Sequence, residues 1–405
     1  MKLKHAWRKV RLTSTFSNIA TALGMAACQA VVQAGPTLPQ AQLLTLPGSP
    51  FGITASTDSH WLFVGLSGAV NGIAIVNTRT SSLQLARVVK TNGPIFGVAL
   101  SRDGRYLAAV VNDHNAPALL IFDAGQLAAG KLLAPVASVS LPPKSGPINV
   151  VWTPNGDLLA VAEETSGQVA IVDLRKAFAG ADALISSIRV GTAPVGMAVS
   201  NDGHLLYVTS QVADPSLHGS SPNACPRLGS PTQRQRQGSL SVIDLRLAQS
   251  FPKQAVQTQL AAGCQPVRVV LSKDEDVAWV TARGDNTVLA LRTGRLADKG
   301  RQALISTTPV GTSPVGLALF DHGRYIAVAN SNRFTTGQIG SLSVVSVPSA
   351  LAGKGAAAVL RSFRAGEFPR EIILSPDERS LYLGEYSSNV LARVFVSNLL
   401  AASRN

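Results

Sequence analysis

Seven times along this chain a proline opens a short apolar run that closes in a tight polar turn. The contexts are SPFGITAS at Pro50, GPIFGVALS at Pro94, GPINVVWT at Pro147, APVGMAVS at Pro194, QPVRVVLS at Pro266, SPVGLALF at Pro314 and FPREIILS at Pro369. The runs alternate or are wholly apolar, and either pattern predicts a buried strand. Turns such as SRDGR, TPNGD, SNDGH, FDHGR and SPDER follow. Asp/Asn-Gly suits a hairpin because both residues tolerate positive φ. A second apolar strand comes next (YLAAV, LLAVA, LLYVT, VAWVT, YIAVA, LYLGE). After a polar loop there is a third (GIAIVN, ALLIFD, QVAIVD, SLSVID, TVLALR, SLSVVS, VLARVF). A more polar fourth strand, such as QAVQTQLAAG, leads to the next proline.

Self-similarity at a near-fixed period signals a repeat architecture. The prolines are 44, 53, 47, 72, 48 and 55 residues apart, and the longer steps need only surface insertions. Four antiparallel strands in each of seven units predict an all-β, seven-bladed β-propeller. No blade can bury both faces alone, so the blades must pack in a ring. The ring must also close, or its ends would expose strand edges. The seventh unit stops after its third strand, VLARVFV, and the orphan strand AQLLTLPG precedes the first proline. That N-terminal strand is expected to complete the last blade. Ala-rich segments such as DLRKAFAGADALI, GRLADKGRQAL and PSALAGKGAAAVL have the composition for single helical turns and are read as spacers.

VGTAPVGMAVSNDGHLLYVTS, continued by SLSVIDL, resembles the YVTN-type β-propeller repeat, and the resemblance spans about residues 40–397. LYVTS and VAWVTAR stand where the eponymous Tyr-Val-Thr-Asn would. The resemblance implies an exported or cell-surface propeller. Related propellers include lactonases, lyases and subunits of redox enzymes, so it is specific for fold and open for function.

Composition agrees with a folded, strand-rich chain: 46% hydrophobic and 15% charged residues argue against disorder. The net charge is +13, and Lys2, Lys4, Arg8, Lys9 and Arg11 all precede the first acidic residue. Elsewhere no Lys/Arg stripe marks a nucleic-acid surface, so no nucleic-acid partner is expected. The basic start, the apolar run IATALGMAACQAVVQA and the small-x-small site ending at Ala34 read as a signal peptide over residues 1–34. A periplasmic or extracellular location follows. A rival cut at Met25–Cys28 is similar to a lipobox and would put a lipid anchor on Cys28. Removing the leader leaves only Cys225 and Cys264, which an oxidising compartment would pair. Cys225 lies in a Pro/Ser/Gly-rich insertion of blade 4, residues 211–238, expected to be an irregular loop.

In such a ring, the loop before each inner strand and the loop between second and third strands share one face. Two residues after the marker proline, Gly52, Gly196 and Gly316 give way to Asn149, Arg268 and Glu371 in other blades, with Phe96 and Gly97 offset in blade 2. With Arg370 these polar groups are candidates for a ligand site at the channel mouth. The second loop set adds Asp113, Glu164, Asp285 and Arg333. Arg283, Asn330 and Glu385-Tyr386 belong to the same set. None stands in a catalytic spacing. His60, His204 and His322 fall in hairpin turns of the opposite face, leaving His114 and His218 on this one. There is no Gly-x-Ser-x-Gly elbow, and GTAPVG lacks the Lys-Ser/Thr of a phosphate loop. No cofactor or metal and a monomeric state are expected. The favoured reading is a binding scaffold for a protein or cell-envelope partner such as a polysaccharide. The alternative is a lactonase-like hydrolase or lyase acting at the channel mouth.

Overall fold

The computed structural model describes residues 35–217, 225–227, 230–295, 303–334 and 337–404. Residues 1–34, expected to be a leader, and with them Cys28, lie outside the described residues. The chain forms seven four-stranded antiparallel sheets, one per marker proline. Blade 1 runs Ser49–Ala55, Trp61–Ser67, Gly72–Asn77 and Gln84–Lys90. Blade 7 takes Pro369–Leu374, Ser380–Glu385 and Val390–Phe395 from the C-terminal region. Its fourth strand is the N-terminal Gln42–Thr45, in register from Gln42 opposite Arg393 to Thr45 opposite Val390. The orphan strand therefore closes the ring.

Successive side chains of a strand point to opposite faces, and here each face meets a different neighbour. In the second strand of blade 5, Ala278, Val280 and Ala282 pack with Tyr207, Leu240 and Val242 of blade 4. Val277 and Trp279 pack with Leu317, Ile326 and Val328 of blade 6. That double burial is why second strands read as unbroken apolar runs.

Crowding at the axis explains two further features of the repeat. Every inner strand has an irregular register just after its marker position, as between Pro194 and Met197 or Pro266 and Val269. A Cβ on Gly196 would lie 2.2 Å from the Val267 carbonyl oxygen, so the backbone of blade 5 occupies the space of a side chain. Thr209, the Thr of LYVTS, joins the same two blades. Its buried hydroxyl accepts the Gly196 N–H (2.9 Å) and donates to the Val267 carbonyl (2.8 Å). Thr281 repeats this between blades 5 and 6, accepting from Arg268 N (3.0 Å) and donating to the Val315 carbonyl (2.9 Å).

On the opposite face, a Ser or Thr two residues before the turn carboxylate or amide staples most hairpins. Ser101 Oγ donates to Asp103 and accepts from Tyr106 N, and Ser200 does the same with Asp202 and Leu205 N. Two of the segments read as spacers are helical turns instead, Leu174–Phe178 and Val347–Leu351. The polar residue ending the third strand serves as N-cap: Asp173 accepts from Lys176 N and Ser346 from Ser349 N. Most of GRLADKGRQAL lies outside the described residues.

The insertion of blade 4 also departs from the expectation of an irregular loop. It carries a small hairpin, Cys225–Arg227 against Ser230–Gln235, with Cys225 opposite Gln235. The disulfide Cys225–Cys264 is present, both sulfurs are buried, and the Cα atoms are 5.5 Å apart. His218 lies outside the described residues.

Candidate functional site at the loop face

The two loop sets are tied together by backbone hydrogen bonds, such as Glu164 N to Gly146 O, Ser331 N to Ser313 O and Tyr386 N to Phe368 O. They form one rim. Just inside it, the residue after the marker proline turns to the axis. Phe51, Ile148, Val195, Val267 and Val315, from five blades, fall in one buried cluster, with Phe96, Phe368 and Tyr386 packed against it. Side chains of five blades can meet only at the axis, so this ring plugs the channel. In blade 7 the same position holds Arg370, whose residue exposure is 5%.

Beneath the plug lies a channel of about 540 Å³, lined by Asn149, Trp152, Arg268 and Glu371 and reaching Arg102 and Pro154 of the hairpin-turn face. The substitutions for glycine two residues after the proline are therefore inside the channel, below the mouth. Asn149 donates to the Val195 carbonyl (3.0 Å). Arg268 and Glu371 form an ion pair with each other, reaching across blade 6, where Gly316 has no side chain. Those three groups are thus occupied with bridging blades.

The remaining candidates separate. Asp113 accepts from Asn115 N (2.8 Å) and Ala116 N (2.9 Å), which holds its carboxyl below the usual range and folds its own loop. Asp285 accepts from Cys264 N (2.6 Å), steadying the loop that bears the disulfide. The charges of Glu164 and Arg333 act on Arg370, and Glu164 and Arg333 act likewise on Arg283. Arg370 lies over Phe51 (3.4 Å to the ring centre), which also has Phe96 stacked at 4.1 Å and Tyr386 edge-on at 5.9 Å. Arg370 also faces Phe368 (5.9 Å), which Arg333 approaches at 5.0 Å. Phe334 stands between Arg333 (5.3 Å) and Arg283 (5.4 Å). Guanidinium and ring thus alternate across the mouth from blade 5 to blade 2.

Arg283 is buried and donates to Gln211 Oε1 (2.8 Å) and Gln265 Oε1 (3.1 Å). Burial, then the neighbouring Arg333, pushes it down to about 10. Arg370 is pushed down to about 9, first by burial and then by Arg268. Burial also lowers Arg333, with Glu164 opposing. All stay charged at neutral pH. Among the described residues none of the three makes an ion pair, and Arg370 Nε has no hydrogen-bond partner. Glu164 is the one unpaired acid that acts on all three.

Two buried acids, Glu163 and Glu385, take the place of the Asn in the Tyr-Val-Thr-Asn pattern. Burial raises both carboxyls. Glu163 accepts from Ser166 Oγ (3.0 Å), and Glu385 accepts from Gly366 N (2.7 Å) in another blade. Among the described residues no three of His, Cys, Asp and Glu converge as metal ligands.

Comparison with solved structures gives the fold a wide setting. A chain of Kuenenia stuttgartiensis hydrazine synthase matches with a TM-score of 0.64 and 16% identity, over 87% of this chain and 96% of that one. A chain of the mitotic checkpoint complex matches with a TM-score of 0.64 and 16% identity, over 96% and 99%. The β-propeller domain of Myceliophteria thermophila Cps50 (Swd1) matches at 0.63 and 13%, over 88% and 99%. The chain shares their propeller fold. At such identities the likeness extends to fold alone. No protein-family model matches the chain, and no curated protein matches its sequence. The YVTN likeness rests on the repeat strings themselves.

Sequence reasoning did not assemble Phe51, Phe96, Phe334 and Phe368 with the arginines. A signal was present: comparing the positions directly before and after each marker proline singles out Phe368, where other repeats carry Ser, Gly, Ala or Gln, and Arg370, where they carry apolar residues.

Proposed function

We propose that the chain is an exported β-propeller scaffold that binds a protein partner of the cell envelope through its loop face. The observation that carries this reading is the disulfide-pinned hairpin of blade 4. The chain's longest interval between repeats is spent on this rim, and the Cys225–Cys264 bond ties it to the entrance of blade 5. Its solvent-facing residues include Thr232 and Arg234. A loop held on a rigid ring presents a surface without a large ordering cost on binding. Export is supported by the leader pattern and by the disulfide, which suits an oxidising compartment. Among the described residues no helix is long and apolar enough to cross a membrane.

The test uses the exported protein as bait for envelope proteins, beside two variants. Thr232→Ala/Arg234→Ala alters the hairpin, and Lys273→Ala alters the opposite face. Loss of a captured protein with the first variant and retention with the second is expected. Equal capture by all three, or capture by none, overturns the reading.

A further inference from the structure

We propose that Arg283, Arg333 and Arg370 form a carboxylate-binding site at the channel mouth, which receives an acidic side chain of a peptide segment. The inference deepens the scaffold reading above and rests on it for the partner being a protein. Three guanidiniums converge through Phe334 and Phe368 with no ion pair among the described residues. Arg268, the fourth nearby cation, is already neutralised by Glu371. Glu371 also faces Arg370 but is paired with Arg268, and the unpaired acid that acts on all three is Glu164, so among the described residues the mouth holds excess positive charge in partly desolvated surroundings. A buried cation without a partner is costly unless an anion completes it. Arg370 is that cation. It occupies a ring position that is apolar in other blades, it is 5% exposed, and its Nε is unpartnered.

The geometry also selects among anions. Both faces of Phe51 are taken, by Phe96 and by Arg370. Phe368 is flanked by Arg333, Arg370 and Tyr386. A sugar ring recognised by stacking needs an open aromatic face; those of Phe51 and Phe368 are covered, and Phe334, though 56% exposed, has Arg283 and Arg333 over its ring at 5.4 and 5.3 Å. The site offers planar N–H donors instead, which match the two oxygens of a carboxylate.

The experiment titrates the intact protein with a hexaglutamate peptide by calorimetry, beside hexaglutamine, oligogalacturonate and inorganic phosphate. Hexaglutamate is expected to bind, more weakly as salt is raised, and hexaglutamine is not. Arg333→Gln, at an exposed position, is expected to weaken binding at least tenfold. Arg175→Gln removes the same charge from a helical turn of the opposite face and is expected to leave binding unchanged. Arg370→Met is expected to abolish it, with a thermal melt reporting that the variant is folded. Equal loss in Arg175→Gln and Arg333→Gln, or no hexaglutamate binding, overturns the proposal. Tighter binding of oligogalacturonate overturns the peptide occupant in favour of a polysaccharide. Binding of phosphate alone overturns it in favour of a small-anion site. Face-dependent protein capture with no hexaglutamate binding leaves the scaffold reading standing and this one refuted.

Discussion

Thr209 gives the sharpest test of how the blades are held together. Its hydroxyl is buried and serves two backbones: it accepts the Gly196 N–H of its own blade and donates to the Val267 carbonyl of the next. Thr209→Val keeps the shape and removes both bonds. A buried polar group left unpaired costs about 1–3 kcal/mol, so stranding the N–H and weakening the carbonyl together give roughly 2–4 kcal/mol. Thr209→Ser keeps the hydroxyl and removes one methyl, about 1 kcal/mol. With an unfolding entropy of about 2 cal/mol/K per residue, a chain of this size loses roughly 3–5 °C in the first case and about 1 °C in the second. Calorimetry under non-reducing conditions reads the order directly. Thr281→Val, which breaks the equivalent link between blades 5 and 6, is expected to match Thr209→Val and to add to it. A Thr209→Val protein as stable as Thr209→Ser would refute the claim that these hydroxyls join blades.

Other consequences follow from the plug, the disulfide, a buried acid and the closure. Arg370→Met completes an apolar ring and removes a buried charge, so the melting temperature should rise, by an amount equivalent to about 1–4 kcal/mol; a clear fall would mean the guanidinium is a structural strut. Free-thiol titration of the oxidised chain beginning at Gly35 should find none, and reduction should lower stability by up to about 4 kcal/mol, from closing a loop with a sequence separation of 39. Burial holds the Glu163 carboxyl above its ordinary range, so ionising it disfavours the folded state. Its contribution falls as pH rises from the unfolded to the folded value, and Glu163→Gln should therefore out-melt the wild type at pH 8, with the gap closing in acid. A constant gap across pH would contradict this. Deleting Gln42–Thr45 bares the edge of Val390–Phe395 and should produce aggregation measurable by light scattering; a monodisperse deletion variant would show that the N-terminal strand does not close the ring.

Much of the fold was legible because each signal is local and repeated seven times. Alternation, an Asp-Gly turn and an opening proline specify a blade within some 45 residues, and the missing fourth strand of the last unit announces its replacement at the N-terminus. The helical turns were legible too, in the Asp or Ser that ends the third strand at Asp123, Asp173, Asp244 and Ser346, but composition alone made them look like spacers. The insertion hairpin was hidden by its Pro and Ser content, since its pairing depends on the disulfide anchor as much as on strand propensity.

The site followed a different logic. The repeat alignment singled out Asn149, Arg268 and Glu371 as departures from glycine, yet the axis uses them to bridge blades beneath the plug. Which departures are satisfied and which are left seeking a partner depends on residues far apart in the chain: Glu371 answers Arg268 over 103 positions, while among the described residues no acid forms an ion pair with Arg370. By itself the sequence determined the number of blades, their strands, their turns and the way the ring closes, because those depend on periodicity and local backbone preference. Only the tertiary structure decided that Phe51, Phe334 and Phe368 interleave with Arg283, Arg333 and Arg370. Ring closure brings seven blades to a common axis, and there a side chain's neighbours are set by its depth below the rim instead of its position in the repeat.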